Sequence, residues 1–190
     1  MHLLAVTPGT VSDGAEAVDL GQTPGELVVL TAADSEIACL AVAARRRPQA
    51  PTLRLANLLR LGHPMSVDLH VDKVVRHAKL VVVRLLGGRS YWPYGVEQVA
   101  QACRADGIPV AFLPGDATPD ADLEADSTLP PEAARRLWGY LTQGGIDNAE
   151  QFLRYAAALL GDTAAWREPA PLPPAGVLER PWCDGAPVAA

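Results

Sequence analysis

The sequence predicts an α/β domain built on a doubly wound parallel sheet of about five strands, followed by a helical hairpin and a Pro-rich tail. Three observations carry that expectation. Apolar runs of five to eight residues alternate with helical patterns as far as residue 113. The runs are nearly continuous in apolar residues instead of alternating with polar ones, as strands covered on both faces require. The chain of 190 residues is 49% hydrophobic and 20% charged, enough to bury a core without covalent staples.

The strand candidates are His2–Val6, Glu26–Ala32, Thr52–Leu58, Lys79–Leu86 and Pro109–Leu113. Between Val6 and Glu26 lie four glycines and only a short helical stretch. Asp34 and Ser35 are placed to cap a helix running to about Arg47, acidic at its start and basic at its end, as the helix dipole favours. Met65–Ala78 sets Val67, Val71, Val74, Val75 and Ala78 on one face. Gly95–Asp106 forms the next helix, with Gly107 placed as the residue that ends it. The result is flavodoxin-like in outline, an α/β domain over residues 1–115.

After Pro114 the character changes. Residues 116–130 are acidic and turn-rich and read as a linker. Two helices follow, Pro131–Thr142 and Ile146–Leu160, joined through Gly144 and Gly145. The first opens with Pro131 and Glu132, and Asp147 or Asn148 supports the start of the second. The apolar faces of this hairpin (131–161) require a partner surface. Residues 162–190 form the tail, in which the proline-dense stretch from Pro169 onward reads as a linker.

The net charge of −6 is unevenly distributed. Residues 1–44 carry −6, residues 45–104 carry +8 and residues 105–190 carry −8. A basic middle can attract a carboxylate- or phosphate-bearing molecule, or simply place arginines at strand ends and outer helix faces. Nucleic acid is not an expected partner: the total is acidic and the basic residues are not interleaved with aromatics. Cys39, Cys103 and Cys183 are widely separated, fitting neither a disulfide framework nor a zinc site. The opening MHLLAVTPGT lacks the basic start of a signal peptide, and no run reaches the roughly 18 apolar residues of a membrane span. The expected setting is the cytoplasm.

In an open parallel sheet, ligands bind outside the carboxyl ends of the strands. The richest loop there is GGRSYWPYG. Gly87 and Gly88 permit a tight turn with exposed N–H groups and Arg89 brings a charge. Tyr91, Trp92 and Tyr94, three of the chain's ten aromatic residues, offer flat surfaces. Such a loop suits a planar conjugated ligand or a protein partner; the alternative is that it packs against another domain. It matches neither the dinucleotide nor the ATP glycine fingerprint. His63, His70 and His77 are spaced by seven. His63 precedes a proline, and His70 and His77 sit about 10 Å apart along a helix. Zinc–nitrogen bonds of about 2 Å cannot span that gap, so no metal site is expected. Asp34-Ser35-Glu36 could hold a hydroxyl or cation, and more simply caps a helix. The acids Asp116, Asp120, Asp122, Glu124 and Asp126 lack the spacing of a calcium loop. No nucleophile–base set can be assembled, so the catalytic residues are unknown.

The stretch LRLANLLRLGHPMSVDLHVDKVVRHAKLVVVRLLGGRSYWPYGVEQV (53–99) closely resembles the amino-terminal part of the large subunits of aerobic cobaltochelatases, the CobN family. The segments MHLLAVTPGT, DLGQTPGELVVLTAADSE and LWGYLTQGGIDNAEQFLRYAAALL match that family in the same order. The resemblance covers about residues 1–160, and the family is similar to the large subunit of magnesium chelatase. It implies a share in ATP-dependent insertion of Co(II) into hydrogenobyrinic acid a,c-diamide during cobalamin synthesis. ATP would be hydrolysed by one of two smaller partner subunits, an AAA+ ATPase. No cofactor is expected on this segment itself, and Gly87, Gly88, Arg89, Tyr91, Trp92 and Tyr94 become candidates for tetrapyrrole binding. Family members are several times longer, so the resemblance implies a truncated, amino-terminal piece that is inactive alone and carries no transferable catalytic residue. The alternative is a free-standing domain that binds a tetrapyrrole or another protein without catalysis.

Overall fold

The computed structural model describes residues 16–47 and 50–171. Four strands form one parallel sheet in the order β2-β1-β3-β4: β1 (Leu27–Thr31), β2 (Leu53–Asn57), β3 (Leu80–Leu85) and β4 (Val110–Pro114). The central strands β1 and β3 are buried along their whole length, which is why LVVLT and LVVVRL read as unbroken apolar runs. Val29 is level with Leu55 on one side and Val82 on the other, and Val82 with Ala111. The sheet has four strands among the described residues, not five; the expected strand His2–Val6 lies outside them.

The side-chain period of two sends alternate residues into two cores. Val28, Leu30, Val81, Val83, Val110 and Phe112 face α2 (Pro64–Lys73) and α3 (Pro93–Asp106). Leu27, Val29, Leu80, Val82, Ala111 and Leu113 face α1 (Asp34–Arg45), α5 (Pro131–Gln143) and α6 (Gly145–Leu159). The arrangement is therefore doubly wound, with helices on both faces.

Several local expectations need correction. The residue preceding α1 is Ala33, and no side chain caps the helix. Asp34 lies in the first turn and accepts a hydrogen bond from Asn57 Nδ2 at 2.7 Å, tying α1 to the end of β2. The helix expected over 65–78 ends at Lys73 and closes through a 3₁₀ turn, Val75–His77, a common tightening at helix ends. Gly107 does end α3, in the left-handed conformation that glycine tolerates best.

The acidic stretch 116–130 is not simply a linker. It contains a short helix, α4 (Ala121–Asp126), capped by Asp120, whose Oδ1 accepts from the backbone N–H of Asp122 and Leu123. Leu123 is fully buried. Ser127 and Thr128 then seal the outer edge of β4: their hydroxyls accept from Phe112 N and Val110 N at 2.8 and 2.9 Å. A free strand edge is a template for unwanted pairing, and two hydroxyls remove it here.

The hairpin finds its partner surface within the same unit, for α5 and α6 cover the second face of the sheet together with α1. The first part of the tail is held as well, so within the described residues it is not a free linker. Tyr140 donates its hydroxyl hydrogen to Arg167 O, and Gln151 Oε1 accepts from Arg167 N at 2.9 Å. Asn148 bonds Ala170 N and O at 3.0 and 2.8 Å. Trp166 packs edge-on against Tyr155 at 4.7 Å, with the Arg136 guanidinium over its ring.

Candidate functional site at the carboxyl edge of the sheet

The chain leaves β3 at Leu85 and turns through Gly87 (φ 90°) and Gly88 (φ 70°), conformations that oppose any other residue. Gly88 is also confined in space, since a Cβ there would lie 2.8 Å from an Asp120 carboxylate oxygen. A 3₁₀ turn, Arg89–Tyr91, leads to α3.

The six candidate residues of this loop do different things. The Trp92 side chain is buried in the core under α2 and α3, and its Nε1–H donates to Leu61 O at 2.8 Å. Its ring lies so close to Gly95 that a Cβ there would sit 1.9 Å away. Trp92 thus anchors the loop to the segment after β2 and is not an exposed stacking surface. Arg89 forms an ion pair with Asp126 at the end of α4. Tyr94 donates its hydroxyl to Asp68 at 2.8 Å, and that bond to the neutral phenol holds its pKa above the ordinary value. Tyr91 is exposed, as are Leu86 on the same loop, Leu59 on the turn after β2 and Met65 in the first turn of α2. The Trp92–Leu61 bond ties this loop to the turn after β2, and the Tyr94–Asp68 bond ties the start of α3 to α2, giving the edge an apolar rim.

Beside the loop lies a polar cluster whose arginine, Arg84, the sequence did not single out. Arg84, on β3, is buried, and its guanidinium pairs with Glu36 of α1. It also donates to Pro114 O at 3.1 Å and Gly115 O at 2.9 Å. Thr31, at the end of β1, donates to the second Glu36 oxygen at 2.7 Å. Burial lowers the Arg84 pKa, and the Glu36 and Asp116 charges oppose that shift. Glu36 therefore does hold a hydroxyl, one of the roles considered for Asp34-Ser35-Glu36, but holds a cation of the protein itself. The available signal was an arginine within the otherwise apolar run VVVRLL.

This cluster walls a cavity of about 200 Å³ between the ends of β1, β3 and β4. The position is where the strand order reverses, the usual ligand crevice of such sheets. A second cavity of similar size, about 200 Å³, lies beyond Gly115 and is lined by Gly87, Gly88, Asp116 and Asp120. Between them the chain ends of β3 and β4 approach closely at Gly115, whose added Cβ would meet the Leu86 Cα at 2.5 Å.

The histidines are separated in role. His63 Nδ1 accepts from Met65 N at 3.1 Å as the cap of α2, while His70 is buried on the inner face of the same helix. Among the described residues, no group of three or more histidine, cysteine or acidic side chains could hold a metal ion. No described helix is long and apolar enough to cross a membrane.

No family model matches the chain. It is similar, however, to two curated proteins, both the aerobic cobaltochelatase subunit CobN. With that of a Sinorhizobium species it shares 47% identity over 186 residues, which is 98% of this chain and 14% of the relative. With that of Pseudomonas aeruginosa it shares 48% over 175 residues, 91% of this chain and 14% of the relative. Among solved structures it resembles the catalytic subunit of cobaltochelatase from Mycobacterium tuberculosis, with a TM-score of 0.66 and 28% identity. That match covers 83% of this chain and 12% of the solved one. The chain therefore spans about a seventh of the length of the curated relatives it matches. Agreement along nearly the whole sequence, joined by agreement in backbone architecture, places this chain in the CobN family of cobaltochelatase subunits, as one segment of that much longer protein.

Proposed function

We propose that this chain is the amino-terminal part of a cobaltochelatase large subunit. In the complete enzyme it takes part in ATP-dependent insertion of Co(II) into hydrogenobyrinic acid a,c-diamide, within cobalamin synthesis. Two smaller subunits, one an AAA+ ATPase, supply the nucleotide hydrolysis, and Co(II) is substrate, not resident cofactor. The observation that carries this reading is the 47–48% identity maintained over 91–98% of the chain. The setting is the cytoplasm.

On this reading the carboxyl edge contributes to the tetrapyrrole site. Tyr91, Leu86 and Met65 offer exposed apolar surface for one face of a macrocycle. Arg89, half exposed beside Asp126, can turn to a peripheral carboxylate, and the Gly87–Gly88 backbone permits close approach.

Two experiments test the proposal. A CobN subunit deleted for the matching segment is assayed with both smaller subunits, ATP and Co(II), with and without this chain added. Cobalt insertion that depends on the added chain supports the reading; full activity of the deleted subunit alone refutes it. Separately, the folded chain is titrated with hydrogenobyrinic acid a,c-diamide by corrin absorbance. Saturable binding weakened by Arg89→Ala and Tyr91→Ala is expected. Absence of binding removes the tetrapyrrole contact from this segment.

A further inference from the structure

At the end of the sheet opposite the candidate site, three arginines line one cavity. Its volume is about 330 Å³, and it lies between the start of β1, the start of β2, the end of α1 and Leu153 of α6. That is room for a small organic molecule. Leu27, Pro51, Leu53 and Leu153 give it apolar walls, and Arg45, Arg47 and Arg54 supply the charge.

These arginines are poorly neutralised. The Arg47 side chain is 14% exposed, and its nearest carboxylate, Asp162, stands 3.9 Å from Nη2. Its Nη1 is buried without a hydrogen-bond partner among the described residues. Arg54 is fixed by neutral oxygens alone: Thr23 O at 2.6 Å, Leu53 O at 2.9 Å, and Thr23 Oγ1 and Pro24 O, both at 2.8 Å. Its position is set and its charge is uncompensated. Arg45 is exposed at the rim. Arg46, between them, instead pairs with Glu150 at 2.6 Å.

The end of α1 does not account for this cluster by itself. Its carbonyls Ala43 O and Ala44 O are already taken by the backbone N–H of Arg46 and Arg47. Glu26, the acid beside Thr52, is occupied by Thr52 N at 3.0 Å and Lys79 at 2.8 Å. Apolar walls around like charges concentrate the positive potential within the cavity.

We propose that this cavity binds a small organic anion bearing a phosphate or paired carboxylates on an apolar body. Arg47 is its buried anchor, Arg54 a fixed second charge and Arg45 the rim contact. Planar guanidinium groups match the oxygens of either anion. The site is separate from the carboxyl edge and does not depend on the chelatase reading.

The test uses the full chain and two probes with the same apolar body, phenyl phosphate and phthalate, in separate titrations by calorimetry and arginine Nε–Hε NMR. We expect saturable one-to-one binding of at least one probe, with shifts at Arg47 and Arg54; the tighter probe identifies the anion. Arg47→Gln should weaken binding by about tenfold, as loss of a charge-assisted hydrogen bond does. Arg45→Gln should weaken it less, and Arg135→Gln, an exposed position on α5, should leave it unchanged. If Arg47→Gln does not fold, the exposed Arg45 variant carries the comparison with Arg135→Gln. Failure of the folded chain to bind either probe overturns the proposal. So does binding that these variants weaken equally, which would be general charge attraction.

Discussion

Replacing His70 by leucine should abolish a specific loss of stability in mild acid. His70 lies on the buried face of α2 between Val67 and Val71, and its Nε2 has no hydrogen-bond partner among the described residues. Burial drives its pKa from 6.5 down to about 4, and the Asp19 carboxylate only partly opposes that. Asp19 is itself engaged by Lys73, which limits its help. Because the folded-state pKa lies below the unfolded one, the unfolded chain binds the extra proton as pH falls through 6.5. The neutral imidazole's contribution is therefore complete above that pH and is lost progressively towards pH 4. At 1.36 kcal/mol per unit, the interval is worth about 3 kcal/mol, of which about 2 kcal/mol is lost by about pH 5. Urea unfolding of the wild type and His70→Leu, followed by circular dichroism from about pH 7.5 to about pH 4, reads the difference directly. The two stabilities should diverge by about 2 kcal/mol between neutrality and about pH 5, with the wild type falling faster. Parallel curves would refute the reasoning and mean that His70 is solvated or hydrogen-bonded in the folded chain.

Three further outcomes follow from the packing. Gly95→Ala drives a methyl into the Trp92 ring and should cost about 3 kcal/mol or more, with a red shift in tryptophan emission as the loop loses its anchor; native-like stability would contradict the Trp92–Gly95 contact. Glu36→Gln leaves the Arg84 charge buried without its partner and should destabilise by about 3–5 kcal/mol, and adding Arg84→Met should recover part of it; a neutral single substitution would show the pair to be solvated. Cys103 is buried and its thiol is pushed up to about 12, so it should resist iodoacetamide at neutral pH until the chain is unfolded, as peptide mass analysis can verify.

Much of the fold was legible because its signals are local. The runs LVVL and LVVV mark central strands, the Val67–Val71 spacing marks the buried face of a helix, and Gly107 marks a helix end. The 121–126 helix was missed because a six-residue stretch with one large apolar side chain has no periodicity to detect; Leu123 is held by the core it enters. The candidate site was legible in place but less so in composition. A strand end rich in glycine and aromatics does point to the edge where ligands bind, yet the residue names do not say which aromatic faces water.

Hydrophobic periodicity, turn residues and the long match to the CobN family are properties of the chain read in order, and they carry the layer architecture and the family. The fate of individual polar and aromatic groups is set between residues far apart in that order. Trp92 is turned inward by a carbonyl 31 positions away, Arg84 is neutralised by Glu36 across 48 positions, and the hairpin's Tyr140 is used to hold the tail at Arg167. Burial makes an unpaired polar group costly, so each such side chain goes where a partner exists, and partners are known only once the layers have packed.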